Sequence, residues 1–299
     1  KRSLGILEQL AVFYCGWRNC LKPEIKFPQT IIFAGNHGVY NQSISSFPQE
    51  VTMQMVKAFK KKKAAINQLS SAFNSNLEVI ELDLNKPTLD FTKGPSMSKV
   101  EFMKAFNIGF NSIKSRSDTV ILGEMGIGNT TVASAITSAL IGGEVSSWVG
   151  RGTSQDNSFI SNKVSVINKG LNINKNRDPL EVLRCLGGRE LVAIFASTIR
   201  ARLLKIPVII DGFICSASIL PAYLIEKSSI EHCIFGHCSA EKGHKKLLKF
   251  FNKKALLNLK MALGEGTGAT LALGILKSAL DCHNKMGTFK NTEVSNSIN

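Results

Sequence analysis

One carboxylate, Glu265, stands among three glycines in the run Gly264-Glu265-Gly266-Thr267-Gly268-Ala269, between two stretches of helical composition. Each glycine weakens a helix interior by roughly 1 kcal/mol, so the run reads as a loop that needs positive φ or close backbone approach. A carboxylate presented on such a loop can act as a general base if apolar surroundings raise its pKa toward neutral. The same composition also suits a plain interhelical turn with a solvated acid. A second glycine loop lies in 118–135, DTVILGEMGIGNTTVASA. An apolar, β-branched run at 119–122 leads to Gly123, Glu124, Gly126 and Gly128. The good N-cap residues Asn129, Thr130 and Thr131 follow, ahead of an Ala-rich helix predicted at 132–140. Glycines that open the backbone, next to the free N–H groups of a helix start, suit an anion such as phosphate. No GK[ST] follows and GxGxxG lacks its third glycine, so an ordinary βα turn also fits.

Other chemistry-bearing residues are weaker. His232, Cys233, His237, Cys238 and His244 cluster in sequence, but their spacing matches no common zinc module, and no metal site is assigned. His37 follows a strand and suits either an imidazole role or a structural histidine. A GxSxG serine nucleophile is absent.

The elements that must position these groups alternate. Strands are predicted at 30–34, 77–82, 119–122, 207–210 and 232–235. Helices are predicted at 5–17, from about 49 to the Lys60–Lys63 block, and at 64–73, 99–113, 161–171 with Lys163 in its first turn, 179–186, 190–204, 213–226, 247–252, 255–262 and 269–285. A second glycine-rich turn is expected at 150–153, an irregular segment or strand end at 145–151, and a frayed polar tail at 287–299. Strand, polar glycine turn and helix recur, which predicts an α/β fold: a doubly wound, mostly parallel Rossmann-like sheet with helices on both faces. The expected division is a large domain at 30–254 and a smaller helical lobe from 1–29 and 255–299. Ligands of such sheets bind outside the carboxyl ends of the strands, so the turns at 35–38, 123–131, 211–212 and 236–239 should line one edge.

Composition narrows the classes. The 299 residues are 44% hydrophobic, enough for one large domain or two modest ones. The longest apolar run, 207–224, contains Asp211 and Pro221, so no transmembrane helix is expected. The start KRSLGILEQL has neither the long apolar core nor the cleavage site of a signal peptide. Seven cysteines without CxxC fit reduced thiols of the cytoplasm. The net charge of +15 invites a nucleic-acid reading, yet the lysines are scattered, with Lys60–Lys63 the one block and no aromatic interleaving. Neither nucleic acid nor membrane is an expected partner.

With both glycine loops in hand, the sequence resembles the nicotinate-nucleotide–dimethylbenzimidazole phosphoribosyltransferase family of cobalamin biosynthesis. Ordered motifs carry the resemblance along nearly the whole chain: SLG at 3–5, AGNHGV at 34–39, SSFPQEVTMQMV at 45–56, AAIN at 64–67 and LGEMGIGNTT at 122–131. VGRGT follows at 149–153, PVIIDGFICSA at 207–217, HCSAEKGH at 237–244 and LGEGTGA at 263–269. The resemblance implies phosphoribosyl transfer from nicotinate mononucleotide to 5,6-dimethylbenzimidazole, with no cofactor and a homodimeric enzyme. It places the general base on Glu265, nucleotide contacts on Glu124, Gly126, Lys163, Asp211 and Ser239, and the aromatic base pocket on Gln49 and Leu263, with Phe47 nearby. Departures from the family pattern are Asn36 for Asp, Ala262 for the Arg before LGEG, Arg2 and Ser154 for glycines, and Lys60–Lys63 in a turn that usually contains glycine. Ala262 and Asn36 leave open a weakened homologue that binds nucleotide or aromatic base without efficient turnover.

Overall fold

The computed structural model describes residues 3–150 and 158–287. The expected turn at 150–153 therefore lies mostly outside the described residues, as do Arg2, Ser154 and the tail beyond 287. Six strands form one parallel sheet: β1 (Pro28–Ala34), β2 (Asn76–Glu81), β3 (Thr119–Met125), β4 (Val208–Ile210), β5 (Cys233–His237) and β6 (Ala255–Leu257). Their spatial order is β2-β1-β3-β4-β5-β6. After β2 the chain returns to the other side of β1, so the topological switch point falls between β1 and β3, where open α/β sheets bind ligands.

Alternation along the strands separates the two faces. Ile31 and Phe33 of β1, Val120 and Leu122 of β3, and Val208 and Ile210 of β4 point to one face. There they pack on α4 (Lys99–Ser112), α5 (Asn129–Ile141), α8 (Arg189–Leu203) and α9 (Phe213–Ile225). Ile32 and Ala34 point the other way, onto α2 (Glu50–Lys60) and α3 (Ala65–Ala72). On that same side Ile121, Ile209 and Ile234 meet α11 (Thr267–Lys285), against which the N-terminal helix α1 (Ile6–Arg18) packs through Leu10, Ala11 and Tyr14. Strands buried on both faces read as continuous apolar runs, which is why TIIFA and TVIL stand out in the sequence. The doubly wound parallel sheet expected from the sequence is the sheet observed. Among the described residues, no helix is long and apolar enough to cross a membrane.

The remaining helices are α6 (Ser158–Ile173), α7 (Pro179–Leu186) and α10 (Lys242–Phe250). Local chemistry explains several ends. Ser98 and Glu101 form a reciprocal capping box on α4, and Asp178 accepts from Leu180 N and Glu181 N ahead of Pro179 on α7. Other boundaries correct the sequence reading. The 255–262 segment predicted as helix is strand β6 followed by irregular chain: Ala255 and Leu257 pair with Phe235 and His237, and the backbone bonds of the sheet edge override the helical preference of Leu, Lys, Met and Ala. β3 runs on through Gly123 and Glu124 to Met125. The N-cap of α5 is Gly128, at φ 95°, and Asn129, the first helical residue, donates its side-chain amide to Glu124 Oε2. α6 begins at Ser158, which moves Lys163 from the first turn to the second, and α10 begins at Lys242 rather than 247.

Candidate active site

The carboxyl ends of β3, β4 and β5 stand side by side. Leu122 is in register with Ile210 and Ile210 with Phe235, so Glu124, Asp211 and His237 emerge along one edge. The turn before α11 is laid across this edge. A Cβ on Gly123 would lie 2.5 Å from Gly266 N and 2.7 Å from the Glu265 carbonyl carbon, so glycine at 123 lets the 264–269 loop rest directly on the β3 backbone. Gly264 leaves room in the same way for the Glu124 carboxyl group. Glu265 N donates to Glu124 O at 3.2 Å. Glu265 itself holds φ 69° and Gly266 φ 76°. For a non-glycine residue the left-handed region costs of the order of 1–3 kcal/mol. The surrounding contacts maintain this strain at a residue that borders the cleft.

The electrostatics follow from burial and crowding. Glu265 is 4% exposed and its Oε2 has no hydrogen-bond partner among the described residues. Burial, then the charge of Asp211, raises its pKa to about 7. Burial also pushes the Glu124 carboxyl well above its ordinary range, reinforced by Asp211 and Glu190 and opposed by the Asn129 amide that donates to Glu124 Oε2. Asp211 accepts from Gly266 N (3.2 Å) and Ala269 N (2.8 Å) and lies 3.4 Å from His237 Nε2. Behind it, His244 Nδ1 accepts from Ser239 N at 2.9 Å, and burial with the neighbouring His237 lowers the His244 pKa to about 3.

Glu124, Asn129, Asp211, His237, Ser239 and Glu265 border a cavity of about 320 Å³. Its lining combines apolar residues, Ile44, Phe47, Val51, Met55, Met125 and Leu263, with the polar Glu124, Asn129, Lys163, Ser239, Glu241 and Glu265. Burial lowers the Lys163 pKa, and the charge of Glu241 works against that shift. An apolar lining with a few convergent polar groups, beyond the carboxyl ends of β3, β4 and β5, is the arrangement of a small-molecule site.

The match to known proteins is as extensive as the geometry. A family model described as "Phosphoribosyltransferase" matches residues 1–294. The nicotinate-nucleotide–dimethylbenzimidazole phosphoribosyltransferase of Ruegeria sp. (strain TM1040) is 48% identical over 293 residues, 98% of this chain and 87% of the relative. The chain belongs to the nicotinate-nucleotide–dimethylbenzimidazole phosphoribosyltransferase family. The protein of that name from Rhodobacter capsulatus is 47% identical over 287 residues, 96% of this chain and 86% of its own. A crystal structure of a family member from Thermus thermophilus superposes with a TM-score of 0.91 at 32% identity, covering 99% of this chain and 94% of that one.

For this family member, the structure brings together most residues named from the sequence. Glu124, Gly126, Lys163, Asp211, Ser239, Leu263 and Glu265 border the one cavity, with Phe47. Gln49 is not among its lining residues; its side chain donates to His37 O at 2.9 Å. Ala262 lines the cavity, whereas Asn36 donates to Leu84 O at 2.9 Å away from it. Sequence reasoning assigned Asn129 to helix capping and overlooked Met55, Met125 and Phe213. The apolar face of α2 was the available signal for Met55. His37 forms a fully buried pair with Glu190 at 2.7 Å, directly behind Gly126; Glu190 carried no local signal beyond opening a helix. The histidines and cysteines of 232–244 scatter: His232 Nε2 meets Thr198 O at 3.0 Å, while His237 and His244 turn toward Asp211 and Ser239. Among the described residues, no three His, Cys, Asp or Glu side chains are grouped to hold a metal.

Proposed function

We propose that this phosphoribosyltransferase moves the phosphoribosyl group of nicotinate mononucleotide to 5,6-dimethylbenzimidazole, with Glu265 as the general base. One nitrogen of the benzimidazole attacks the anomeric carbon as the bond to nicotinate breaks. The bonding pair returns to the pyridinium nitrogen, so nicotinate leaves without needing an acid. The N–H proton of the benzimidazole passes to Glu265, and attack opposite the departing base gives α-ribazole 5′-phosphate. Chemistry of this kind rests on positioning and one proton removal.

The observation that carries this reading is the environment of Glu265. Its pKa of about 7 lets it accept a proton near neutral pH, and it borders the same cavity as the 124–130 loop. In the proposed pose the aromatic base lies against the apolar lining, near Phe47, Met55 and Leu263, with Gln49 in a supporting part through its bond to His37 O. Glu124, Gly126, Lys163 and Ser239 receive the nucleotide, where the Lys163 ammonium offers charge to the phosphate. The family pattern adds Asp211. A homodimer and a cytoplasmic setting complete the proposal; light scattering on the eluted protein tests the first.

Incubation with nicotinate mononucleotide and dimethylbenzimidazole should release nicotinate and α-ribazole 5′-phosphate in equal amounts. Intact nucleotide at high enzyme concentration would contradict the reading. A second reading is favoured by Ala262, which lines the cavity where the family pattern has an arginine: a protein that binds nucleotide or aromatic base without efficient transfer. Calorimetry showing binding without turnover, unchanged by Glu265→Gln, selects it.

A further inference from the structure

Asp211 borders the cavity but is 0% exposed. Its oxygens are committed to the protein. Oδ1 accepts the Ala269 N–H at 2.8 Å and faces His237 Nε2 at 3.4 Å, and Oδ2 accepts the Gly266 N–H at 3.2 Å. Both amides belong to the start of α11, whose first N–H groups have no partner within the helix, and Gly266 directly follows Glu265 in the strained turn. His237 is wedged in turn: a Cβ on Gly268 would overlap its ring, and a Cβ on Gly212 would lie 3.5 Å from its Nε2. β4 thus hands a carboxylate to the helix start that follows the base, and β5 backs that carboxylate with an imidazole.

We propose that Asp211 is a positioning residue for Glu265 rather than a nucleotide ligand: it clamps the left-handed turn that aims the base into the cavity. The proposal rests on Glu265 being the base. A carboxylate that is 0% exposed and has both oxygens engaged by backbone amides has little capacity left for a ribose hydroxyl. Its fixed charge also acts on Glu265 through space. The other titratable groups around the two are Glu124 on β3, His237 on β5, His244 on α10, Glu190 on α8 and Cys215 on α9, with Lys163 and Glu241 also lining the cavity. These stay in place in the variants below.

Two variants separate the clamp from the charge. Asp211→Asn keeps the shape but removes the charge and one accepting oxygen. Asp211→Glu keeps the charge but not the reach. The first readout needs no turnover: the carbon-13 carboxyl titration of Glu265, identified by its loss in Glu265→Gln. In Asp211→Asn its midpoint should fall by about half a pH unit or more, since the neighbouring negative charge is gone. In Asp211→Glu it should hold within that margin. An unmoved midpoint in Asp211→Asn overturns the proposal whether or not the wild type transfers phosphoribosyl groups. The second readout is kinetic. Both variants should lose about tenfold or more in kcat, with KM for nicotinate mononucleotide within about threefold of the wild type. A KM raised about tenfold at unchanged kcat would make Asp211 a nucleotide ligand after all. If Asp211→Asn does not fold, Asp211→Glu alone decides on the same kcat and KM pattern. Absence of transfer by the wild type would count against the proposed reaction, not against the clamp.

Discussion

The two ends of the same strands treat buried polar groups in opposite ways. At the amino ends of β1 and β3, Asp118 Oδ2 accepts from Lys26 N (2.6 Å) and Phe27 N (2.7 Å), and the Tyr14 hydroxyl donates to Asp118 O (2.9 Å). Gln29 donates to Ser112 O at 2.9 Å while its oxygen accepts from Ser117 Oγ at 2.9 Å. Burial raises the Asp118 pKa, but the two amides counter it. At the carboxyl ends, three acids crowd one another, Glu265 adopts a left-handed φ, and one of its oxygens has no partner among the described residues. Polar groups at the amino edge close loops and, apart from Asp118 Oδ1, which has no partner among the described residues, the atoms named are bonded to those loops. Those at the carboxyl edge are held rigidly yet left short of partners, which is the state a proton acceptor needs before substrate arrives.

Removing the carboxylate should break this contrast most. Glu265→Gln keeps size and polarity, yet nicotinate release should fall by about 10²–10⁴. A variant with wild-type rates would leave the carboxyl edge without a base and remove the functional side of the comparison. Next comes the contact that joins the two glycine loops. Gly123→Ala places a methyl group 2.5–2.8 Å from backbone atoms of Glu265 and Gly266, where no side-chain rotation relieves it. Overpacking of this kind costs about 1–3 kcal/mol, so Tm should fall. Displacement of the base should lower kcat about 10²-fold as well. Wild-type melting and turnover together would show that the loops are not mutually seated.

How much of this edge the sequence disclosed depended on how local the signal was. Glycines at 123, 126, 264, 266 and 268 mark both loops because each sits where the backbone turns left-handed or where a neighbouring backbone or side chain leaves no room for a Cβ, and Glu265 is visible as the acid among them. The parallel sheet was legible from apolar runs alternating with glycine turns. Strand β6 was not: Ala255-Leu256-Leu257 has helical composition, and only pairing with β5, distant in sequence, makes it a strand. The Asp211 clamp was hidden for the same reason, since its partners lie 55 and 58 residues away. The Glu190–His37 pair spans a longer stretch still, and nothing near either residue announces the other.

The pH dependence of stability sharpens the comparison at the carboxyl edge. With its pKa raised from 4.5 to about 7, folded Glu265 binds more proton than the unfolded chain does across that window. Stability attributable to this group is therefore fully present below about pH 4.5 and falls as pH rises toward 7. Glu265→Gln lacks this loss, so the variant should unfold on the order of 1–3 kcal/mol less readily than the wild type above pH 7. The gain should fade toward pH 4.5. Denaturant melts at pH 4.5 and 8 check it, and equal differences at both pH values would mean that the carboxylate is not destabilised by its site. The rate should show the matching limb: kcat/KM declines below about pH 7, where the base is protonated.

The smallest effect is expected at the amino edge, where it serves as the control. Tyr14 is fully buried, and its hydroxyl lies 2.9 Å from Asp118 O and 3.0 Å from Thr119 Oγ1. Tyr14→Phe removes the hydroxyl that these two buried oxygens share, so unfolding should become easier by about 1 kcal/mol. Transfer activity should stay at the wild-type level, because the hydroxyl acts on the loop ahead of β3 and not on the cleft. Burial raises the Tyr14 pKa above its ordinary value of 10, so the folded protein keeps this proton where the unfolded chain loses it. Its pH-linked term is thus complete below pH 10 and lost above it, a window apart from that of Glu265. In Tyr14→Phe the alkaline fall in stability should be shallower while the slope between pH 4.5 and 7 persists. A variant that instead flattened the lower slope, or slowed transfer, would show that the two edges are coupled through β3 rather than independent.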